Sequence, residues 1–488
     1  MDVHKTPYLK SLSNRGHIKG STLTSKATNK PLCHFFGGLR YALAPSERWR
    51  RAHKLPELYS YGTRENPGQH EGLSSVCPQP GFLGPADESL WSEDCFHCNI
   101  WVPVEEPPKG GWPVLNRWSW LQFGTPNTFY SASLLGESSF KAVVIKPAYR
   151  VNLFGFLYSS ELEEDAASAG ETVGNHGFWD QRLALEWIKE NVHLFGGNPK
   201  KITISGYSAG AYSVFHQLSH DLRQPPSKSI ISQACIWSNG PGVQPKQPQE
   251  TQIQFNQLLS ALNIPLSLSA REKISRLRSI PAKTLLNAVN TIQIHQFRPT
   301  TDGAFISPTL LKSLDDGSFA RALKARNIRI ILGECKDEHF LYSIWYPPTS
   351  DTRDALYSRL LADYPKSSVD ALMSIYTPTS SLPAGYKNWT DLFGKIYANM
   401  QVHTLQRGLV HSLASAGAEH LLYRYRIEFR AKCADELLRP EWEVTHTADV
   451  PLWFYGNRST LTEDEKGIAA RAIVEPFTRF VNGEENGC

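Results

Sequence analysis

Residues 201–220 read KITISGYSAGAYSVFHQLSH. The β-branched run KITIS gives way, across Gly206-Tyr207-Ser208-Ala209-Gly210, to the helical pattern AYSVFHQLSH. A chain that turns from strand into helix within so few residues needs small side chains around the pivot. The pivot itself is then held on strained backbone, with the Ser208 hydroxyl pushed out at the edge of a sheet. The helix that follows presents the positive end of its dipole, and the Ala209 N–H is aimed where an oxyanion would form. G-x-S-x-G alone also suits a plain glycine-rich turn; the strand before it and the helix after it favour a nucleophile.

Outward from this turn, short apolar runs alternate with helical patterns. WPVLNRW (112–118), AVVIKPAYR (142–150), IRIIL (328–332) and LLYRYRIEF (421–429) read as further strands. The alternation predicts an α/β fold, a central, mostly parallel twisted sheet with crossover helices on both faces. Two stretches, about 241–300 and 350–418, read helical and are expected as insertions capping a site at the sheet edge. The first opens Pro/Gln-rich, and its Leu258, Leu259 and Leu262 share one helix face. Residues 1–30 read as an N-terminal extension and 31–488 as one elaborated domain. Thr462 and Glu465 form a capping box at the start of a final helix that runs toward Phe480.

Composition narrows the function classes. The 488 residues contain 41% hydrophobic and 20% charged residues, enough for a large core. A net charge of +4 with scattered basic residues gives no stripe for tracking phosphates, so nucleic acid is not an expected partner. No secretory h-region and no membrane-length apolar run is visible, which makes a cytoplasmic location without a membrane span the expectation. The eight cysteines are dispersed; Cys95 and Cys98 are a lone C-x-x-C without further ligands nearby, so no metal site is expected. The N-x-[ST] sequons at Asn388 and Asn457 are expected to stay unmodified in such a compartment.

A serine is a poor nucleophile without a base, and the base needs an orienting acid. Downstream of Ser208, Glu338 follows a strand in GECKDEHF, and His446 lies in EVTHTADVPLWF after another. Both fall where acid and base loops belong in the order nucleophile, acid, base. By spacing alone either also fits an ordinary surface residue, since the chain has sixteen histidines.

Longer motifs reduce that ambiguity. GGLRYALAPSERW, SEDCFHCNIWVP, YRVNLFGFL, NHGFWDQRLALEWIKENVHLFGGNP, ITISGYSAGAYSV, TTDGAFI, Asp337-Glu338 and His446 before DVPLWF occur in that order. From about Gly37 to Gly483 the chain resembles the type-B carboxylesterase and cholinesterase-like family of the α/β-hydrolase fold. The resemblance implies Ser208 as nucleophile, Glu338 as acid and His446 as base, with Ser238 in WSNG behind the histidine. It implies a structural ion pair between Arg48 and Glu93 and a loop disulfide between Cys77 and Cys95, for which two packed thiols are an equal alternative. The expected activity is hydrolysis of a small or apolar carboxylic ester through an acyl-enzyme, with no cofactor. A binding module without catalysis and a metabolite-tailoring hydrolase or acyltransferase are the rival readings.

Three departures from the family pattern carry consequences. Tyr207 replaces the usual Glu before the nucleophile, removing a negative charge beside the site. Pro85 stands where cholinesterases carry a choline-binding Trp, and Trp91 is too close to Cys95 to replace it, so cation–π capture of choline is not expected. Asn116-Arg117-Trp118-Ser119 stands where His-Gly-Gly belongs, about two residues short, without the glycines whose N–H groups approach an oxyanion. Either the chain is a weak esterase, or the segment reflects a misplaced splice boundary in the sequence.

Overall fold

The computed structural model describes residues 2–81, 86–127, 131–457 and 459–484; Pro85 lies outside them. Among the described residues, ten strands follow one another across a continuous sheet. In chain order they are β1 (Val3–Ser11), β2 (His17–Ser25), β3 (Pro31–Arg40), β4 (His97–Val102), β5 (Trp112–Trp118), β6 (Val143–Pro147), β7 (Gly197–Tyr207), β8 (Gln233–Trp237), β9 (Arg329–Cys335) and β10 (Leu422–Ile427). Their order across the sheet is β1-β2-β3-β4-β6-β5-β7-β8-β9-β10, with a two-residue strand, Gly68–Gln69, beside β2. From β6 to β10 every pairing is parallel, and from β1 to β6 by way of β4 every pairing is antiparallel. The sheet is therefore mixed, with the parallel half carrying Ser208 near its middle. Residues up to 30, set apart in the sequence as an extension, supply the first two strands of this same sheet.

The two halves are built from different kinds of sequence. β6, β8 and most of β7 are buried on both faces, as parallel strands under crossover helices must be. β1 is largely exposed, β2 mixes buried and half-buried residues, and the pair is held to the sheet through β2 against β3. Helices α1 (His176–Asn191) and α2 (Ala209–Arg223) cover the middle of the parallel half; Leu185, Ile188, Val214, Phe215 and Leu218 belong to one core with Ile202, Ile204 and Ile236.

The stretch 241–300 folds as three helices, Pro248–Ala261, Ala270–Ser279 and Ala282–Val289. Leu258 and Leu259 are fully buried, while Leu262 caps the first of these helices and packs at the core's margin. Residues 353–415 supply a second helical group with its own apolar cluster around Leu356, Leu360, Phe393 and Ile396. In that group α3 (Trp389–Ala398) runs through a π-helical turn, Asn399–His403, into α4 (Thr404–Ser415). The Thr462–Glu465 capping box is formed in both directions.

Candidate active site

β7 delivers Tyr207, and the chain reverses at Ser208, whose φ of 56° and ψ of −124° lie in a region a side chain seldom occupies. Holding such a residue costs about 1–3 kcal/mol. The flanking glycines show why the turn tolerates nothing larger. A Cβ on Gly206 would stand 2.1 Å from the Gly210 carbonyl oxygen, and one on Gly210 would stand 2.5 Å from the Trp118 carbonyl oxygen. The Ser208 N–H donates to the Trp237 carbonyl (2.9 Å), fixing the elbow to β8. Ala209 opens α2, so its N–H belongs to the first turn, where no intrahelical acceptor is available.

Glu338 and His446 come from the loops after β9 and β10. Backbone bonds tie these loops together: the Asp337 N–H donates to Val444 O (2.9 Å), and the Leu341 N–H donates to Thr445 Oγ1 (3.0 Å). The Glu338 carboxylate is fully buried, accepts the Cys335 N–H at 2.8 Å, and pairs through its other oxygen with His446 Nδ1. One carboxylate thus holds the imidazole and fixes which nitrogen faces outward. Ser208, Ala209 and His446 line a single cavity of about 680 Å³, its open mouth included. The serine hydroxyl and the imidazole share that wall without a hydrogen bond between them, a looseness common in sites that tighten around substrate.

Tyr207 is the hub of a buried network behind the histidine. Its hydroxyl donates to Asp449 Oδ1 (2.7 Å), accepts the Thr447 N–H (3.0 Å) and meets the Ser238 hydroxyl (3.0 Å). Thr447, immediately after His446, is held at a φ of 77°, and Ser238 at 50°. Both strained residues are therefore pinned by one phenol. Asp449 also accepts the Trp453 indole N–H (3.0 Å), and burial raises its pKa to about 6, with the Glu338 charge adding to the rise and the Tyr207 bond opposing it. The Tyr207 departure, read in the sequence as removal of a negative charge, is thus met by a carboxylate from the histidine loop. Asp449 is not reached by sequence reasoning; its only local signal is its place in HTADVPLWF, three residues after His446.

Opposite the elbow, the segment that departs from the family pattern continues β5 to Trp118 in register with Gly206. Asn116 is buried with both side-chain amide atoms unsatisfied. Arg117 is buried with its guanidinium 3.7 Å from the centre of the Phe454 ring, and burial lowers its pKa to about 9. Beyond the strand, Trp120, Leu121, Gln122 and Phe123 line the cavity. Their carbonyls are held from below: Tyr149 Oη donates to Trp120 O (2.9 Å) and the Asn152 N–H to Leu121 O (2.8 Å). The next residue, Gly124, gives its N–H to Gln79 Oε1. No glycine lies between Asn116 and Phe123.

The far wall of the cavity comes from the two helical stretches and from the short helix His339–Ile344 that follows Glu338. Tyr342, 6% exposed, packs its ring 4.8 Å from that of His446, and its hydroxyl approaches Ser208 without completing a hydrogen bond. Burial, then the nearby Glu338 charge, raises its pKa and keeps the phenol protonated. Arg298, Tyr397, and Gln401 from the π-helical turn complete this wall. Ile344 and Trp345 also line the cavity, and Phe123 packs on Trp345 with ring centres 5.2 Å apart. Away from the site, Arg48 and Glu93 form a two-point ion pair (2.6 and 2.7 Å). Cys77 and Cys95 are buried together as free thiols.

The sequence profile of the carboxylesterase family matches residues 7–487. A carboxylic ester hydrolase of Gibberella moniliformis (strain M3125 / FGSC 7600) is 44% identical over 98% of this chain and 89% of its own length. A protein of Schizosaccharomyces pombe described as an uncharacterized esterase/lipase is 37% identical over 92% of this chain and 84% of its own. A cholinesterase of Mus musculus is 30% identical over 93% of this chain and 76% of its own. With this site at the turn after its central strand and this match across nearly its whole length, the chain belongs to the carboxylesterase family and is a carboxylic ester hydrolase.

Proposed function

We propose that the chain hydrolyses esters by a serine mechanism through an acyl-enzyme. Ser208 attacks the acyl carbon. His446 takes its proton and returns it to the leaving alkoxide, Glu338 orients and stabilises the imidazolium, and water then repeats the sequence on the acyl-enzyme. Ser238 and Tyr207 act as positioning residues behind His446, and the Ala209 N–H serves the oxyanion. The observation that carries this reading is the strained Ser208 elbow opening on one cavity with a histidine whose Nδ1 is engaged by a buried carboxylate.

The cavity lining favours uncharged over cationic esters, because aromatic and aliphatic side chains dominate it and no acidic residue is among the described residues that form it. An organophosphonate probe should label the protein at Ser208, and p-nitrophenyl acetate or butyrate should be turned over better than choline esters. Labelling that survives in Ser208→Ala would overturn the assignment of the nucleophile, and a clear preference for acetylcholine over an uncharged isostere would overturn the substrate reading.

A further inference from the structure

Arg298 is the one permanently charged side chain among the described residues lining the cavity that holds Ser208 and His446. It is only 6% exposed, and its guanidinium is held from behind. Nε and Nη2 reach Asp363 Oδ1 at 2.9 and 2.8 Å, and Nη2 also donates to the Tyr397 hydroxyl at 3.1 Å. The third nitrogen, Nη1, has no hydrogen-bond partner among the described residues, and it is not sealed away as the orphaned buried atoms are. A guanidinium has five donors in a rigid plane, so fixing one edge aims the rest.

The charge around this group is not balanced. Asp363 is shared with Arg359, whose Nη1 lies 2.9 Å from Oδ2. Buried Lys246, bonded to Ala362 O at 3.2 Å, also feels the Asp363 charge. Arg298 and Arg359 thus share this one carboxylate, while Lys246 feels both it and Glu250; the three cations hold Asp363 below the usual carboxylate range in spite of its burial. Burial works against the Arg298 charge, but Asp363 and the Tyr397 hydroxyl more than offset it, and its pKa is raised. Asn239 and Gln401, joined at 3.4 Å, add a neutral polar margin to the same cavity.

We propose that this cavity selects esters bearing a carboxylate, which pairs with the open edge of Arg298 while the ester carbonyl lies at Ser208. The substrate class is then the half-ester of a dicarboxylic acid, or an ester whose alcohol part carries the acid. The proposal rests on the serine-hydrolase reading above and adds a binding group to it. A charged hydrogen bond of this kind, formed away from bulk water by a donor already in place, is expected to favour the anion by about tenfold or more in kcat/KM.

The test compares the monomethyl and dimethyl esters of succinate, glutarate and adipate at low ionic strength, together with acetylglycolate and methyl acetylglycolate as the pair charged on the alcohol side. The expected result is that at least one anion exceeds its neutral partner by about tenfold, and that Arg298→Met collapses this ratio while Arg298→Lys retains part of it. Arg298→Met leaves Asp363 with Arg359 and Tyr397; should it fail to fold, wild-type protein decides the matter by competition. Free glutarate should inhibit hydrolysis of the diester competitively, and glutaramide should not. Neutral esters preferred in every pair, with no competition by glutarate, would overturn the anion site while leaving the hydrolase reading intact. If instead no ester is hydrolysed and Ser208 is not labelled, the hydrolase reading fails, and calorimetry with glutarate still decides the anion site: saturable binding supports it and no binding overturns it.

Discussion

The elbow Gly206–Gly210 and the strand end Asn116–Ser119 face each other, the carbonyls of Trp118 and Ser119 lying against Gly210, yet they obey opposite rules. At the elbow every residue type matches its place: two glycines where a Cβ would collide, a serine at the strained pivot, a helix start behind it. Across the gap a polar amide sits buried without partners and a guanidinium is lodged over aromatic rings, in a strand whose neighbours are apolar. The first region is strained for a purpose visible in its geometry. The second bears a cost with no compensating contact at Asn116. Strain and misfit are thus distinguishable by whether the surroundings have been shaped to hold the anomaly.

Four sets of variants put this contrast to the test. The largest effect is expected at the elbow and its partners: Ser208→Ala or His446→Ala should each lower turnover by several orders of magnitude, and the double variant by little more, because the members act as a unit. Additive losses measured in single-turnover kinetics would separate the two residues' roles. Next is the opposite side. Rebuilding Asn116–Ser119 as an apolar strand ending in His-Gly-Gly should raise ester turnover by about 10²–10³, the usual worth of one restored oxyanion donor. A gain of only a few-fold over a chain that already works at ordinary rates would mean that other groups, the Tyr342 hydroxyl foremost, bind the oxyanion.

Asp449→Asn should lower turnover by roughly tenfold, since it removes a charge that favours the imidazolium and turns an amide donor toward Trp453 or Tyr207. Unchanged turnover would leave Asp449 a purely packing role. The same carboxyl links stability to pH. Its folded pKa of about 6 exceeds the ordinary 3.8, so the folded chain holds this proton more tightly than the unfolded one. Ionisation of Asp449 therefore works against folding above that value, and the penalty fades as pH falls between the two; Asp449→Asn should flatten this part of the stability profile. The smallest effect is expected from Asn116→Val, which replaces two unsatisfied buried groups by a strand-forming side chain. It should stabilise the fold by about 1–3 kcal/mol in denaturant titrations, and destabilisation would show that the amide has a role the structure does not reveal.

What could be read in the sequence follows from how each part is buried. Strands sunk on both faces, such as β6 and β9, show apolar cores, VVI and IIL, that stand out in the sequence. β1 and β2 do not, because VHKTPYLKS is mostly exposed and HIKGSTLTS mixes polar with apolar residues, and both owe their form to pairing within the sheet rather than to an apolar run. β8 is five residues, QACIW, too short for a period to emerge. In the site, Ser208, Glu338 and His446 each stand in a local motif. Asp449, Tyr342 and Arg298 do not. Their importance arises only when Tyr207 meets a residue 242 positions away, or when a wall is closed from separate insertions.

A sheet of this breadth also ends somewhere, and its two outer strands offer unpaired backbone to any other chain. β1 carries Lys5, Pro7 and Lys10, the proline withdrawing a donor and the lysines resisting close approach. At the opposite margin β10 turns Arg424 and Arg426 outward between Tyr423, Tyr425 and Ile427. Lysines with a proline at one rim and arginines at the other disfavour edge-to-edge stacking of molecules, far from the chemistry of the site. Neutralising Arg424 and Arg426 would remove that protection from a strand edge of the β-forming composition that stacks into fibres.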